Sequence, residues 1–147
     1  MFIGLDLGTS GLKAILIDEN QRVLAEASAP LTVSRLHEGW SEQAPSDWIG
    51  AAETVLDHLA EHGLAGVRGI GLSGHMHGAT LLDASDAVLR PCILWNDTRS
   101  HLEAADLDAD PQFRRISGNI VFPGFTAPKL DWVRTHERNL WDKVAKV

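Results

Sequence analysis

The 147-residue sequence has no tyrosine, one cysteine, and thirteen basic residues against twenty acidic ones. Each shortage excludes a class of protein. A single thiol cannot build a disulfide framework, and Cys92 lies in the apolar run Cys92-Ile93-Leu94-Trp95, so it reads as a small core residue in a reducing, cytoplasmic setting. A net charge of -7 argues against a sequence-independent hold on nucleic acid or on an anionic membrane. No run approaches the ~18 apolar residues of a membrane span, and the N-terminus lacks the basic and apolar regions of a secretory signal. Internal repeats, linkers and low-complexity segments are also missing. What is present is a hydrophobic share of 44%, enough for the core of one ordinary domain, and the expected partner is a small molecule or another protein.

Residues 2 to 7 alternate, with Ile3, Leu5 and Leu7 on one face, until Gly8-Thr9-Ser10-Gly11 breaks the strand with a tight polar turn. Residues 12 to 17 read as a second strand, closed by Asp18-Glu19-Asn20-Gln21, and 22 to 27 as a weaker third. Turns this short make the three an antiparallel meander and leave no room for crossover helices, so the sheet is mixed and not doubly wound. Pro45, with Ser46 and Asp47 in the first turn, opens a helix in which Trp48, Ile49, Ala52, Val55, Leu56 and Leu59 follow helical spacing as far as Gly63. Residues 67 to 72 return as a strand, and 71 to 78 form a loop at its end. Further strands are expected over 79–83 and 88–95, around an Ala84-Ser85-Asp86 turn. Asn96-Asp97-Thr98 supplies cap residues for a helix reaching about Leu107. A short helix runs from Asp110-Pro111 to Ile116, Pro128 opens a last one carrying Leu130, Trp132 and Val133, and residues 143 to 147 read as the start of a strand.

Three segments carry chemistry. In Asp6-Leu7-Gly8-Thr9-Ser10-Gly11, with Lys13 two residues on, a glycine- and hydroxyl-rich turn lets backbone N–H groups converge on a phosphate. A carboxylate at the strand end can hold Mg²⁺ directly or through water. Such a turn also arises for conformational reasons alone, and the pattern is neither a Walker A loop nor a Rossmann fingerprint. In Ser73-Gly74-His75-Met76-His77-Gly78, a hydrogen-bonding tip beside an apolar contact suits a sugar or polyol; the competing reading is an exposed histidine pair without a role. Two histidines without a third ligand do not make a zinc site. In Trp95-Asn96-Asp97-Thr98-Arg99 an aromatic precedes three hydrogen-bonding side chains, and on these residues alone a core tryptophan followed by a helix N-cap is the preferred reading.

The order and spacing of these segments, together with Gly124-Phe125-Thr126-Ala127-Pro128-Lys129-Leu130-Asp131-Trp132-Val133, resemble the FGGY family of carbohydrate kinases along the whole chain. The resemblance implies an α/β fold, a ribonuclease H-like lobe of the actin, sugar kinase and Hsp70 type with a mixed sheet and helices. Residues 1–147 would be the N-terminal kinase domain in part, without its C-terminal lobe. It implies ATP and Mg²⁺ as cofactors, with Gly8, Thr9, Ser10 and Lys13 on the phosphates and Asp6 as the catalytic carboxylate that serves Mg²⁺ through water. Met76 and His77 would contact the sugar, Trp95 and Asp97 would line or support its pocket, and the stretch from Gly124 to Val133 would be mainly structural. The expected reaction is ATP-dependent phosphorylation of D-xylulose at its 5-hydroxyl by the longer enzyme. This segment would be inactive alone, because the family's general base and adenosine site lie beyond position 147. The resemblance departs at His75, where the xylulose-acting members usually carry Gln. The expected partners are the sugar and ATP, with no nucleic acid or membrane, and with a homodimer as candidate assembly. The alternatives are another FGGY kinase acting on ribulose, gluconate or glycerol, or a non-catalytic actin-like binding domain.

Overall fold

The computed structural model describes residues 1–147, which divide into two units: Met1–Val33 with Ser46–His75, and Ser34–Pro45 with Met76–Val147. In the first unit the expected meander forms as β1 (Phe2–Leu7), β2 (Gly11–Ile17) and β3 (Val23–Pro30). The third strand is longer than its sequence suggested, because it pairs with β2 down to Gly11 opposite Pro30. Gly11 permits that approach: a Cβ there would lie 2.8 Å from the Ala29 carbonyl oxygen.

The helix α1 (Pro45–Ala60) carries Asp47 in its first turn and buries Ala51, Val55 and Leu59, one residue per turn. Those three share a core with Ile3, Leu12, Ala14, Leu16, Ala25 and Ala29. Ile49, read from the spacing as part of the buried stripe, is 63% exposed. The strand expected at 67–72 is shifted to Ile70–Gly74 (here β5), parallel to β1, with Leu5 opposite Leu72 and Asp6 opposite Ser73. The sheet order β3-β2-β1-β5 is therefore mixed, as expected from the lack of crossover room.

The second unit has less regular structure than the sequence suggested. The strands expected over 79–83 and 88–95 shrink to isolated bridges, Ala79 with Ile93 and Leu82 with Val88, and to the two-residue strand β6 (Cys92–Ile93). β6 pairs with β4 (Glu42–Gln43), which was not anticipated. Pro91 offers no ladder donor beside β6. Asp83 instead closes its own turn, accepting from the backbone N–H of Ser85 at 2.8 Å and of Ala87 at 3.0 Å. Residues 143–147 contribute one bridge, Lys146 with Leu82, in place of a strand.

Helix α2 (His101–Ala109) begins later than its expected cap at residues 96–98, since the Asp97 carboxylate is engaged in the interior. Helix α3 (Pro111–Ser117) is capped by Asp110, which accepts from the N–H of Gln112 at 2.9 Å, and it ends on Gly118 in the left-handed conformation. Helix α4 (Thr126–His136) opens two residues before Pro128, a position in the first turn that needs no N–H. A short α5 (Arg138–Trp141) follows. The apolar core of this unit gathers Ala79, Leu81, Ile93 and Val133, flanked by Leu130, Trp132 and Leu140. Cys92 is free and fully buried there, as its apolar run implied.

Candidate functional site

The residues expected to hold phosphate lie in the first unit, at the hairpin between β1 and β2. The Gly8 N–H donates to the Gly11 carbonyl at 2.9 Å and closes the turn, while the Ser10 carbonyl accepts from Leu31 at 3.0 Å and anchors it to the end of β3. Alternation along β1 sends Ile3 into the core and leaves Asp6 exposed. In the antiparallel register Lys13 stands directly opposite Asp6, and in the parallel register Ser73 flanks Asp6 on the other side. Residues opposite one another in a ladder share a face, so a carboxylate, an ammonium and a hydroxyl are set together beside the glycine turn. Asp6, Lys13 and Ser73 line one depression with Gly4 and Gly71.

This donor set fits Mg²⁺ carried on a nucleotide. Mg²⁺ keeps several waters and is held by one or two carboxylates together with substrate phosphates, so one exposed carboxylate suffices where three would be needed for an all-protein cage. Lys13 is exposed and free to meet phosphate oxygens as a point charge.

The two loop histidines have different surroundings. The His75 N–H donates to the Leu7 carbonyl at 3.0 Å, and its ring meets Trp48 edge-on at 5.4 Å, within the first unit. His77 belongs to the second unit, where its ring lies 4.7 Å from that of Phe125. His77 is exposed, Met76 is 66% exposed and Trp95 is 48% exposed. The reading of Trp95 as a core tryptophan is therefore corrected: a two-residue β6 ends before it and leaves the indole at the surface.

Asp97 is placed differently from a helix cap or an open ligand. It is fully buried, and its oxygens accept from the Ser41 N–H (2.6 Å) and from the Arg99 N–H (2.9 Å), Nε (2.9 Å) and Nη2 (2.7 Å). Four donors occupy the carboxylate's usual acceptor sites. Arg99 also pairs with Glu42 at 2.7 Å and lies over the Trp40 ring at 3.6 Å, with Trp132 5.0 Å away. Glu42 holds Arg90 as well, which reaches Glu137 at 3.3 Å. Burial pushes the Arg90 guanidinium below its ordinary value, against the pull of Glu137 and Glu42.

Sequence reasoning missed Ser41, Glu42, Arg90 and Lys129 as members of this unit's interior. Lys129 is fully buried, and its ammonium donates to the carbonyls of His77 at 2.6 Å and Gly124 at 2.8 Å. Desolvation lowers it to about 8. The available signal was a lysine inside the apolar stretch Pro128-Lys129-Leu130, where helical spacing puts it on the face of Val133.

The mixed-sheet lobe is that of sugar kinases with the actin-like ATPase fold, and the chain belongs to the FGGY family of carbohydrate kinases. The model of that family's N-terminal domain matches residues 1–147. The chain is 51% identical to the xylulose kinase of Escherichia coli strain K12 over 149 aligned residues, covering 100% of itself and 31% of that protein. It superposes on the crystal structure of a "xyloylose kinase" from Brucella ovis with a TM-score of 0.95 at 60% identity, over 98% of this chain and 31% of that one. A gluconate kinase from Lactobacillus acidophilus, at 23% identity and a TM-score of 0.90 over 99% of this chain and 30% of its own, shares the fold. The chain thus spans about a third of the length of the relatives it matches.

Proposed function

We propose that the complete polypeptide carrying this chain transfers the γ-phosphoryl group of ATP to the 5-hydroxyl of D-xylulose. The observation that carries the reading is the exposed trio Met76, His77 and Trp95, in a chain 51% identical along its whole length to a xylulose kinase. Met76 and Trp95 offer apolar contact to the carbon face of a sugar, and the His77 ring nitrogens can hydrogen-bond its hydroxyls. Asp97, its oxygens already occupied by Ser41 and Arg99, takes the supporting part in this reading and not that of a direct sugar ligand. For the other substrate, Gly8, Thr9, Ser10 and Lys13 would hold the phosphates of ATP, and Asp6 would hold Mg²⁺ through water. Mg²⁺ there supplies neutralisation of the charge on the transferring group.

In this reading residues 1–147 are the N-terminal part of the kinase, and the rest of the polypeptide contributes the general base and the adenosine pocket. No helix is long and apolar enough to cross a membrane. On this reading the enzyme is cytoplasmic, with a homodimer as its candidate assembly. The test is ADP release by the complete protein with Mg-ATP and D-xylulose, D-ribulose, D-gluconate or glycerol in turn. The highest kcat/KM is expected for D-xylulose. A higher value for another of the four reassigns the sugar, and ATP turnover indifferent to all of them overturns the kinase reading in favour of an actin-like binding domain.

A further inference from the structure

His77 is one of three non-glycine residues with positive φ, at 62°. The other two, Gln21 and Asp86, each lie in a turn closed by a nearby aspartate, Asp18 or Asp83. No such local device holds His77, and a left-handed non-glycine residue costs about 1–3 kcal/mol and persists only where its surroundings enforce it. The surroundings here come from the first turn of α4 and the turn before it. Phe125 packs against the His77 ring, and the Lys129 ammonium takes the His77 carbonyl at 2.6 Å. The same ammonium takes the Gly124 carbonyl at 2.8 Å. Gly124 lies against Trp95 so closely that a Cβ would fall 2.3 Å from the Trp95 carbonyl oxygen, which no side chain can accept.

One buried cation therefore ties the His77 backbone to the Gly124-Phe125 turn, which itself lies against the Trp95 backbone. A methionine would fill the same volume without the desolvation cost of an ammonium. What the ammonium adds is direction: two charge-assisted hydrogen bonds that fix where two carbonyls point.

We propose that Lys129 is a positioning residue for sugar recognition, holding His77 in its left-handed conformation and keeping it in register with Trp95. It touches no substrate in this arrangement and acts through His77 and Gly124. The proposal rests on the reading of Met76, His77 and Trp95 as the sugar-facing surface. Recognition by hydrogen bonds needs groups locked to within about 0.5 Å by the shell behind them, and this is that shell.

The experiment compares the complete wild-type protein with Lys129→Met, which keeps the volume and loses the donors, and Lys129→Arg, which keeps charge and donors. Losing a buried charged donor corresponds to roughly a tenfold rise in sugar KM for Lys129→Met, with ATP KM within about twofold of wild type. Lys129→Arg recovers part of the loss, to within about threefold of wild type. Hydrogen exchange of the amides at 76–79 is expected to speed up about tenfold in Lys129→Met, which needs no sugar and so separates this proposal from the choice of substrate. Unchanged sugar KM with unchanged exchange overturns it. So does a merely structural pattern, a lower thermal midpoint and lower active fraction with both KM values untouched. Should Lys129→Met fail to fold, Lys129→Gln, which keeps a donor without the charge, decides: a sugar KM raised above that of Lys129→Arg at constant ATP KM supports the proposal, and any other pattern overturns it.

Discussion

All seven buried polar or charged residues of the chain, Ser41, Glu42, Gln43, Asp97, Arg99, Ser100 and Lys129, belong to the second unit, and the buried core of the first is wholly apolar. The two units thus hold the proposed functional groups by opposite means. In the first, strand alternation alone puts Asp6 and Lys13 on the outer face, and nothing polar has to be buried to keep them there. In the second, regular strands are two residues long, so an internal web of charges holds the loops that carry Met76, His77 and Trp95. Substitutions should therefore separate activity from stability in the first unit and confound them in the second.

The largest expected effect is on that web. Asp97→Ala leaves the buried Arg99 with Glu42 as its remaining carboxylate and strips the Ser41 N–H of its acceptor. Removing one partner of a buried pair typically costs about 3–5 kcal/mol, to be read from urea unfolding of the complete protein. A loss below about 1 kcal/mol would put Asp97 among ordinary surface residues and break the contrast between the units.

Asp6→Ala should do the reverse. A carboxylate that serves Mg²⁺ acts on the transition state, so kcat should fall by roughly 10²–10³-fold while sugar KM and the thermal midpoint hardly move. Near wild-type kcat at saturating Mg-ATP would remove Asp6 from the phosphate site.

The same contrast explains what the sequence made legible. Periods of two residues and turns such as Gly8-Thr9-Ser10-Gly11 are local signals, and β1, β2, β3 and α1 were recoverable from them with small shifts at the ends. The second unit is organised by pairs far apart in the chain: Asp97 with Ser41, Arg90 with Glu42, Lys129 with His77. No local rule shows that Asp97 turns inward to Ser41 when a helix begins four residues later and an N-cap would satisfy the same pattern. The local reading of Trp95 as a core residue failed for a related reason: the strand thought to bury it ends at Ile93, where its partner β4 is two residues long. The proposed sugar-facing positions Met76 and His77 came from composition and resemblance, whereas the lysine bonded to the His77 carbonyl reads as an ordinary helical residue until its partners are seen.

A smaller effect tests the surface itself. His77→Ala removes a hydrogen-bonding tip and leaves the Lys129 contact to the backbone carbonyl, so the loop stays in place. Sugar affinity measured by calorimetry is expected to weaken by about 1–3 kcal/mol with ATP affinity unchanged. If ATP affinity fell and sugar affinity held, the two units would have exchanged roles.

The smallest effect concerns Lys129 and pH. Its folded value, about 8, lies below the ordinary lysine value of 10.5, because burial disfavours the ammonium. Between those two values the unfolded chain holds more protons than the folded one, so this group makes stability rise with pH. The penalty is full below about 8 and gone above the unfolded value. Other groups facing the ammonium titrate or exert fields too. Asp97 pulls its value up, Arg99 pushes it down, and the Cys92 thiol, raised by burial, titrates in the opposite sense. Subtracting the Lys129→Met variant at each pH removes most of those contributions, since they are common to both proteins. The difference in urea unfolding free energy should then move in favour of wild type by about 1–2 kcal/mol between pH 7.5 and 10, less than the full shift would give once the interior relaxes around the charge. A flat difference would mean that the two carbonyls of His77 and Gly124 compensate the ammonium fully, and that the second unit tolerates its buried charge as easily as the first does without any.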